Sequence, residues 1–253
     1  MRPCHEIFLG MPSDPYYFAT YPALVARLRE RLGDQSGFEA AVGGDFFTVG
    51  NLEFELLRSV GLPENATVVD VGCGSGRLAA QLAGMNKIRY VGTDIVPELL
   101  DYARKLAGRS DWLFHQTAGA QIPCPDGTAD LVCFFSVFTH LTHEDSFRYL
   151  RETKRVLKPG GKVVISFLEF CIYSHWAIFD LSVNSSHPGD HLNQFMDRDG
   201  IRAWAHHLGL TVESIFDGDK AHIPIRQDLA WSDGRVMRNL GALGQSVAVL
   251  VKP

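Results

Sequence analysis

The segment Val68-Val69-Asp70-Val71-Gly72-Cys73-Gly74-Ser75-Gly76-Arg77 sets three glycines at alternate positions behind an apolar run that holds an aspartate. Glycine has no Cβ and tolerates positive φ, so such a turn lets a ligand reach bare backbone. A second aspartate, Asp94, closes the next apolar run, Ile88-Arg89-Tyr90-Val91-Gly92-Thr93-Asp94. Asp94 is suited to accept hydrogen bonds from both hydroxyls of a ribose, and Asp70 to anchor an ammonium group directly or through water. The spacing G-x-G-x-G is shorter than the dinucleotide fingerprint G-x-G-x-x-G. No Lys-Ser or Lys-Thr follows the glycines, so this is not a phosphate-cradling loop. The plainer alternative is a joint between strand and helix, with Asp94 capping a helix that begins near Pro97.

Candidate proton acceptors lie further along the chain. They are His140, His143, His175, His187, His191 and Glu169, and histidine has the pKa best suited to a base near neutral pH. His140 sits in Ser136-Val137-Phe138-Thr139-His140-Leu141, behind an apolar run. It is either a base or a packing residue at the start of a helix. His143 reads as part of the N-terminal turn of that helix. His187 and His191 fall in an irregular stretch of the kind that builds lids and acceptor pockets. His175, His187 and His191 with Asp180 or Asp190 match no recognised ligand spacing, so no metal is expected. The five cysteines, at 4, 73, 124, 133 and 171, form no C-x-x-C pair and no even framework. Neither disulfides nor a thiolate zinc site is expected, which fits a reducing cytoplasm.

The elements that hold these residues alternate. Tyr17, Tyr21, Leu24, Leu28 and Leu32 share one helical face, and Pro22 suits a first-turn position, so a regular helix is expected to begin near it. A second helix is expected over about 46–60. Strands at 68–71, 88–94, 112–114, 131–135 and 162–167 then alternate with helices from 77, 97 and 144. Lys158-Pro159-Gly160-Gly161 stops the last of these helices. Such alternation means a parallel sheet with helices on both faces, and ligands of such sheets lie beyond the carboxyl ends of the strands. Beyond 167 the rhythm changes. Phe167, Phe170, Tyr173, Trp176 and Phe179 form an aromatic run; Tyr173, Trp176 and Phe179 share a helical face that reads as core or as the wall of a partly apolar pocket. A helix at 198–208 and strands at 211–216 and 246–251 follow, and 217–245 reads as polar and irregular. The expected organisation is an N-terminal helical cap over 1–60 and one domain over 61–253, with an insertion at about 168–197.

Composition narrows the classes. A chain of 253 residues with 46% hydrophobic and 21% charged content is of the globular type. Its net charge of −5 and the lack of a basic run argue against tracking a nucleic-acid backbone. The apolar patch Ile7-Phe8-Leu9 is too short for a signal peptide, and no window of ~20 apolar residues suggests a membrane span. The expectation is a cytoplasmic protein with no nucleic-acid and no membrane partner.

Four ordered blocks resemble a class I S-adenosylmethionine-dependent methyltransferase of the small-molecule type. They are 68–76, Asp94, the stretch from Ile122-Pro123 through Asp126-Gly127-Thr128-Ala129-Asp130-Leu131-Val132, and Arg155-Val156-Leu157-Lys158-Pro159-Gly160-Gly161. The resemblance covers about 45–167. It implies an α/β fold, a doubly wound, mostly parallel seven-stranded Rossmann-like sheet with an antiparallel last strand. It also implies S-adenosyl-L-methionine as methyl donor and S-adenosyl-L-homocysteine as product. Carried over by position, Asp70, Gly72, Cys73 and Gly74 would line the methionine part, and Gly76 would let the following helix pack close. Asp94 would hold the ribose, with Ile95 beneath the adenine and Gly119 and Ala120 bordering it. Related enzymes often place an aspartate where this chain has Ala118; a backbone carbonyl or Gln121 is the substitute here. Phe135, Ser136 and Val137 would face the sulfonium and the transferred methyl, and His140 is the candidate base.

Several acceptor classes are disfavoured. Phe135-Ser136-Val137-Phe138 does not resemble the Asp/Asn-Pro-Pro-Tyr of amino-methylating DNA enzymes. Cys124 lies in the wrong loop for a cytosine-methylating nucleophile, and the paired glutamates of protein arginine methylation are absent. A sugar, natural product or other metabolite remains, with O-methylation favoured over N-methylation by the histidine-rich insertion. The competing readings are a catalytically silent cofactor-binding or interaction protein of the same fold and a nicotinamide oxidoreductase. The helix at 17–32 would close over the cofactor or serve as a docking surface, a homodimer included.

Overall fold

The computed structural model describes residues 17–184 and 192–253. Eight helices are described: α1 (Tyr17–Leu32), α2 (Asp34–Ala41), α3 (Phe46–Ser59), α4 (Arg77–Leu82), α5 (Pro97–Ala107), α6 (His143–Val156), α7 (Tyr173–Val183) and α8 (Arg198–Leu208). The apolar runs become β1 (Thr67–Val71), β2 (Arg89–Asp94), β3 (Leu113–Gln116), β4 (Ala129–Phe134), β5 (Leu157–Phe167) and β6 (Thr211–Phe216). Then come four two-residue strands, β7 (Ile223–Pro224), β8 (Leu229–Ala230), β9 (Val236–Met237) and β10 (Leu240–Gly241), and finally β11 (Ser246–Val251). The main sheet has seven strands in the order β3-β2-β1-β4-β5-β11-β6. β11 runs antiparallel to both its neighbours, whereas the pairs from β3 to β5 are parallel.

β1 is the centre of the sheet. Val68 pairs with Tyr90 on one side and Leu131 on the other. Its side chains alternate between two cores because successive strand residues point to opposite faces. Val68 joins Leu52, Leu56 and Leu57 of α3, Leu78 of α4 and Leu100 of α5. Val69 and Val71 join Leu150 and Val156 of α6 and Ile201 and Leu208 of α8. The strand order reverses between β1 and β4, which is where open α/β sheets leave a crevice.

Caps start the helices that frame this crevice. The Asp45 carboxylate accepts from the Thr48 amide at 3.1 Å and begins α3. Thr142 Oγ1 accepts from the Asp145 amide at 3.2 Å and begins α6. Glu144 and Asp145 in the first turn of α6, and Lys154 and Arg155 in its last, complement the helix dipole.

Four local expectations change. α1 begins no later than Tyr17, so Pro22 lies inside it rather than at its start. α2 was hidden in sequence by Gly33 and Gly37; Gly37 packs so tightly on α1 that a Cβ would sit 2.6 Å from Arg29 Cα. β5 starts at Leu157 rather than after the Lys-Pro-Gly-Gly stretch, because Leu157 already pairs with Ala129 before an irregularity in register. The 217–245 segment holds two small ribbons, β7 with β10 and β8 with β9, and it buries Ile223 and Leu229 in the α3 core.

Gly76 shows why the turn ends in glycine. Its φ is +85°, and a Cβ there would lie 2.7 Å from Ala103 Cβ and 2.8 Å from Ala103 Cα. The helix it admits is therefore α5, not α4, the helix that follows it. Gly76→Ala should lower stability by about 2–4 kcal/mol, from left-handed strain plus overpacking. An unchanged urea midpoint would contradict this close approach.

Candidate active site

A cavity of about 650 Å³ lies at the carboxyl ends of β1, β2 and β4. Its floor is the glycine turn. Gly72 and Gly74 both have positive φ, +70° and +54°. A Cβ on Gly72 would come 2.5 Å from Val137 Cγ2, and one on Gly74 would run into Val42 Cγ1. A side chain at either position would collide with a valine that itself lines the cavity.

Asp94 closes one side. It is 5% exposed, its Oδ2 accepts from the Gly74 amide at 3.0 Å and its Oδ1 from the Val96 amide at 2.9 Å. The two readings of Asp94 therefore coexist. It fixes the backbone before α5, and it stands on the cavity wall with lone pairs left on both oxygens. Burial pushes its carboxyl up to about 6, against the pull of those amides. Asp70, also on the wall, accepts from Tyr90 Oη at 2.7 Å and from Cys133 Sγ at 3.5 Å. Burial pushes its carboxyl up to about 7, with the Tyr90 hydroxyl opposing. Cys73 lines the same wall, and burial holds its thiol well above the usual range.

A buried ion pair braces this end. Arg77 Nε donates to Glu53 Oε1 at 2.7 Å, and Arg77 Nη1 donates to the carbonyls of Val42 at 2.9 Å and Gly43 at 3.0 Å. One guanidinium thus ties α3, the glycine turn and the link between α2 and α3. That link needs two consecutive left-handed glycines, Gly43 and Gly44.

The far end is mostly apolar. Phe135, Ser136, Val137, Leu141 and His140 come from the segment after β4, Tyr21, Leu24 and Leu28 from α1, and Ile178, Leu192 and Leu243 from beyond β5, whereas Trp231 stands beside the start of α3, where Thr48 Oγ1 donates to the Ala230 carbonyl at 2.8 Å. His140 closes a 3-10 turn, Phe138–His140, and its Nδ1 lies 2.8 Å from the Leu192 carbonyl. A carbonyl only accepts, so in the neutral ring Nδ1 carries the proton and Nε2 the basic electron pair.

The other candidate bases stand elsewhere. His175 is buried, its Nδ1 accepts from the Glu169 amide at 2.9 Å, and its Nε2 donates to the Gly244 carbonyl at 3.0 Å. Burial lowers its pKa, so it is a neutral structural residue. Glu169 is clamped by Arg198 Nε at 2.7 Å and Nη2 at 2.8 Å and by the Ser246 hydroxyl. Burial pushes its carboxyl up, but Arg198 and Ser246 outweigh that and hold it below the usual range. His143 opens α6, with Nε2 3.0 Å from the Phe195 carbonyl and 2.9 Å from Gln194 Nε2. His187, Asp190 and His191 lie outside the described residues. Among the described residues no His, Cys, Asp and Glu cluster could hold a metal ion.

Gly119 and Ala120, with Ala118 and Gln121, line a neighbouring cleft beside Arg155 that shares Thr117 with the main cavity. Tyr149 Oη donates to the Gly119 carbonyl at 3.0 Å and draws this loop toward α6. One further expectation is corrected. The face formed by Tyr173 and Trp176 is not core, since Tyr173 is 86% exposed. Phe170 and Phe179 turn to Phe195 instead, with Phe170 and Phe195 stacked at 4.8 Å. Reasoning from sequence also missed Glu53, Ser166, Trp231, Leu243 and Gln245 on the cavity wall. Their one signal was Ser166, a lone polar residue in an apolar strand.

Comparison with known proteins bears on this arrangement. Residues 69–165 match the model of a methyltransferase domain family. The chain is 28% identical over 102 residues to 27-O-demethylrifamycin SV methyltransferase of Amycolatopsis mediterranei, covering 39% of this chain and 37% of that protein. It is 36% identical over 106 residues to demethylmenaquinone methyltransferase of Deinococcus radiodurans, covering 41% and 42%. The chain thus spans less than half the length of these curated relatives. Magnesium protoporphyrin IX methyltransferase from Synechocystis PCC 6803, solved with bound S-adenosylhomocysteine, shares the fold. Its TM-score is 0.60 at 16% identity, with 94% of this chain and 97% of that one covered. The matched methyltransferase domain contains Asp70, the glycine turn, Asp94 and His140. α1, Ser166, Trp231, Leu243 and Gln245 lie outside the matched residues, so the cavity extends beyond them. No helix among the described residues is long and apolar enough to cross a membrane.

Proposed function

We propose that this protein transfers a methyl group from S-adenosylmethionine to an oxygen of a small, partly apolar acceptor. The observation that carries the reading is a single cavity with Asp94 and the glycine turn at one end and His140 among apolar side chains at the other. The residues fit the cofactor on three counts. Gly72 and Cys73 of the glycine turn line the cavity, and Gly72 offers bare backbone there. Asp94 keeps acceptor capacity for a pair of ribose hydroxyls. Trp231 stands on the cavity wall, and its buried Nε1 has no partner among the described residues. It is therefore a donor suited to a ligand oxygen such as a carboxylate.

When bound, S-adenosylmethionine supplies a methyl on a sulfonium that needs no further activation. The protein's own work is alignment and exclusion of water. Asp94, with Ile95 and Thr117 on the same cavity wall, would hold the nucleoside, and Asp70 would face the ammonium group. Phe135, Ser136 and Val137 border the reacting centre. His140 Nε2 takes the hydroxyl proton as the acceptor oxygen attacks in line with the breaking bond; an amine would need no such base. Of the cap expected over 1–60, α1 and α2 form the lid in this reading.

A panel of hydroxylated and aminated aromatic and alicyclic compounds, scored by S-adenosylhomocysteine release, tests the reading. Release with hydroxyl compounds supports it, and release with amines alone would overturn the choice of oxygen.

Asp94→Ala should weaken S-adenosylhomocysteine binding at least tenfold, since a charge-assisted hydrogen bond contributes ~1.5–3 kcal/mol. The wild-type affinity should also depend on pH. Ribose hydroxyls favour the charged carboxylate, so binding lowers a pKa that stands at about 6 in the free protein. Affinity is then full above about 6 and falls as the pH drops through that value. Calorimetry across this range should show a flatter curve for the variant.

A further inference from the structure

A closed set of hydrogen bonds borders the methyl-transfer end of the cavity. The Ser136 amide donates to Ser166 Oγ at 2.7 Å, Ser166 Oγ donates to Gln245 Oε1 at 2.7 Å, and Gln245 Nε2 donates to Ser136 Oγ at 3.1 Å. All three residues line the cavity. The direction of this set is forced. A backbone amide can only donate, so Ser166 Oγ must accept from it. Ser166 is 2% exposed, and its own proton needs an acceptor, which among the described residues the amide oxygen of Gln245 provides. That orients the Gln245 amide with its nitrogen toward Ser136 Oγ. Ser136 Oγ is therefore an acceptor within the set, and its proton has no protein acceptor among the described residues.

The set is held from behind. The Gly244 carbonyl is bound by His175, the Ser246 hydroxyl by Glu169, and the Gly218 amide donates to Ser246 Oγ at 3.1 Å. Buried His175 and Glu169, which are not bases here, have this role: they fix the chain on both sides of Gln245. Ser136 itself has φ +58°, a conformation that costs a non-glycine residue energy and turns up at functional sites.

Resting on the methyltransferase reading, we propose that the Ser136 hydroxyl donates its proton into the cavity and so selects an acceptor substrate that offers an oxygen lone pair. Gln245 is its positioning residue, fixing the hydroxyl's direction through Ser166. The substrate class is an apolar ring system carrying a hydroxyl, carbonyl or carboxylate oxygen. An ammonium, which has no lone pair, cannot accept this proton.

The test uses the full chain saturated with S-adenosylhomocysteine, with 1-naphthol and naphthalene as probes followed by fluorescence. The saturating concentration is set separately for each variant from its own titration. Failure of the wild type to bind S-adenosylhomocysteine would defeat the underlying reading. With that binding in place, 1-naphthol should bind about five- to tenfold more tightly than naphthalene, the value of one hydrogen bond. Ser136→Gly tolerates the positive φ, keeps the amide donor and should abolish the preference. Gln245→Glu replaces the donating amide with a second acceptor, so the Ser136 proton turns away from the cavity; the preference should disappear although the hydroxyl remains. A merely structural role would weaken both probes alike. Absence of a preference in the wild type, or a preference that survives both substitutions, overturns the proposal.

Discussion

Arg77→Leu is expected to destabilise the protein by about 3–5 kcal/mol, the range for removing one partner of a buried ion pair. Arg77 and Glu53 are 7% and 1% exposed, so the glutamate left behind has no water to turn to. The carbonyls of Val42 and Gly43 lose their donor in the same step. Burial pushes the Glu53 carboxyl up, and Arg77 is what opposes it. The folded-state pKa already stands above the unfolded value, and losing Arg77 raises it further, so in the variant more stability is lost as the pH rises through it. Urea denaturation at several pH values should show the deficit shrinking toward the acid side. Glu53→Leu combined with Arg77→Leu should recover part of the loss, because no unpaired charge remains. A deficit under 1 kcal/mol that ignores pH would mean that the pair does not brace the site. Cofactor affinity should fall as well, since the Val42 side chain that walls Gly74 is carried by the segment that Arg77 holds.

His140→Ala is expected to reduce turnover by about 100- to 10,000-fold, the range for a general base. S-adenosylhomocysteine affinity should stay near the wild-type value, because His140 belongs to the acceptor end. The comparison is made with the hydroxylated acceptor that gives the highest wild-type rate. Added imidazole should restore part of the rate to the alanine variant and none to His140→Phe, which fills the space. Full activity of His140→Ala would remove it as the base and leave it as a packing residue bound to the Leu192 carbonyl.

The scaffold was legible in the sequence where one physical signal dominated. The unbroken apolarity of β4 marked a strand covered on both faces, and the glycines at 72, 74 and 76 marked a turn that a Cβ would block. Asp94 was legible because it ends a strand beside that turn. Residues that meet only through the fold were not. Glu53 looks like any glutamate on an amphipathic helix until Arg77, 24 positions away, is placed against it. Ser136, Ser166 and Gln245 come from three separate segments, and no spacing announces them. The histidines misled because burial, not residue type, decides their role. His175 has both nitrogens committed to backbone, whereas His140 lines the cavity. The aromatic run misled in the same way, since helical spacing cannot say which face of α7 meets the protein.

The most direct measurement is calorimetric titration of the wild-type chain with S-adenosylhomocysteine and, separately, with NAD. Saturable binding of S-adenosylhomocysteine at a single site, weakened at least tenfold by Asp94→Ala and matched by no binding of NAD, is the expected result. Binding of NAD without S-adenosylhomocysteine would contradict the methyltransferase reading of this cavity.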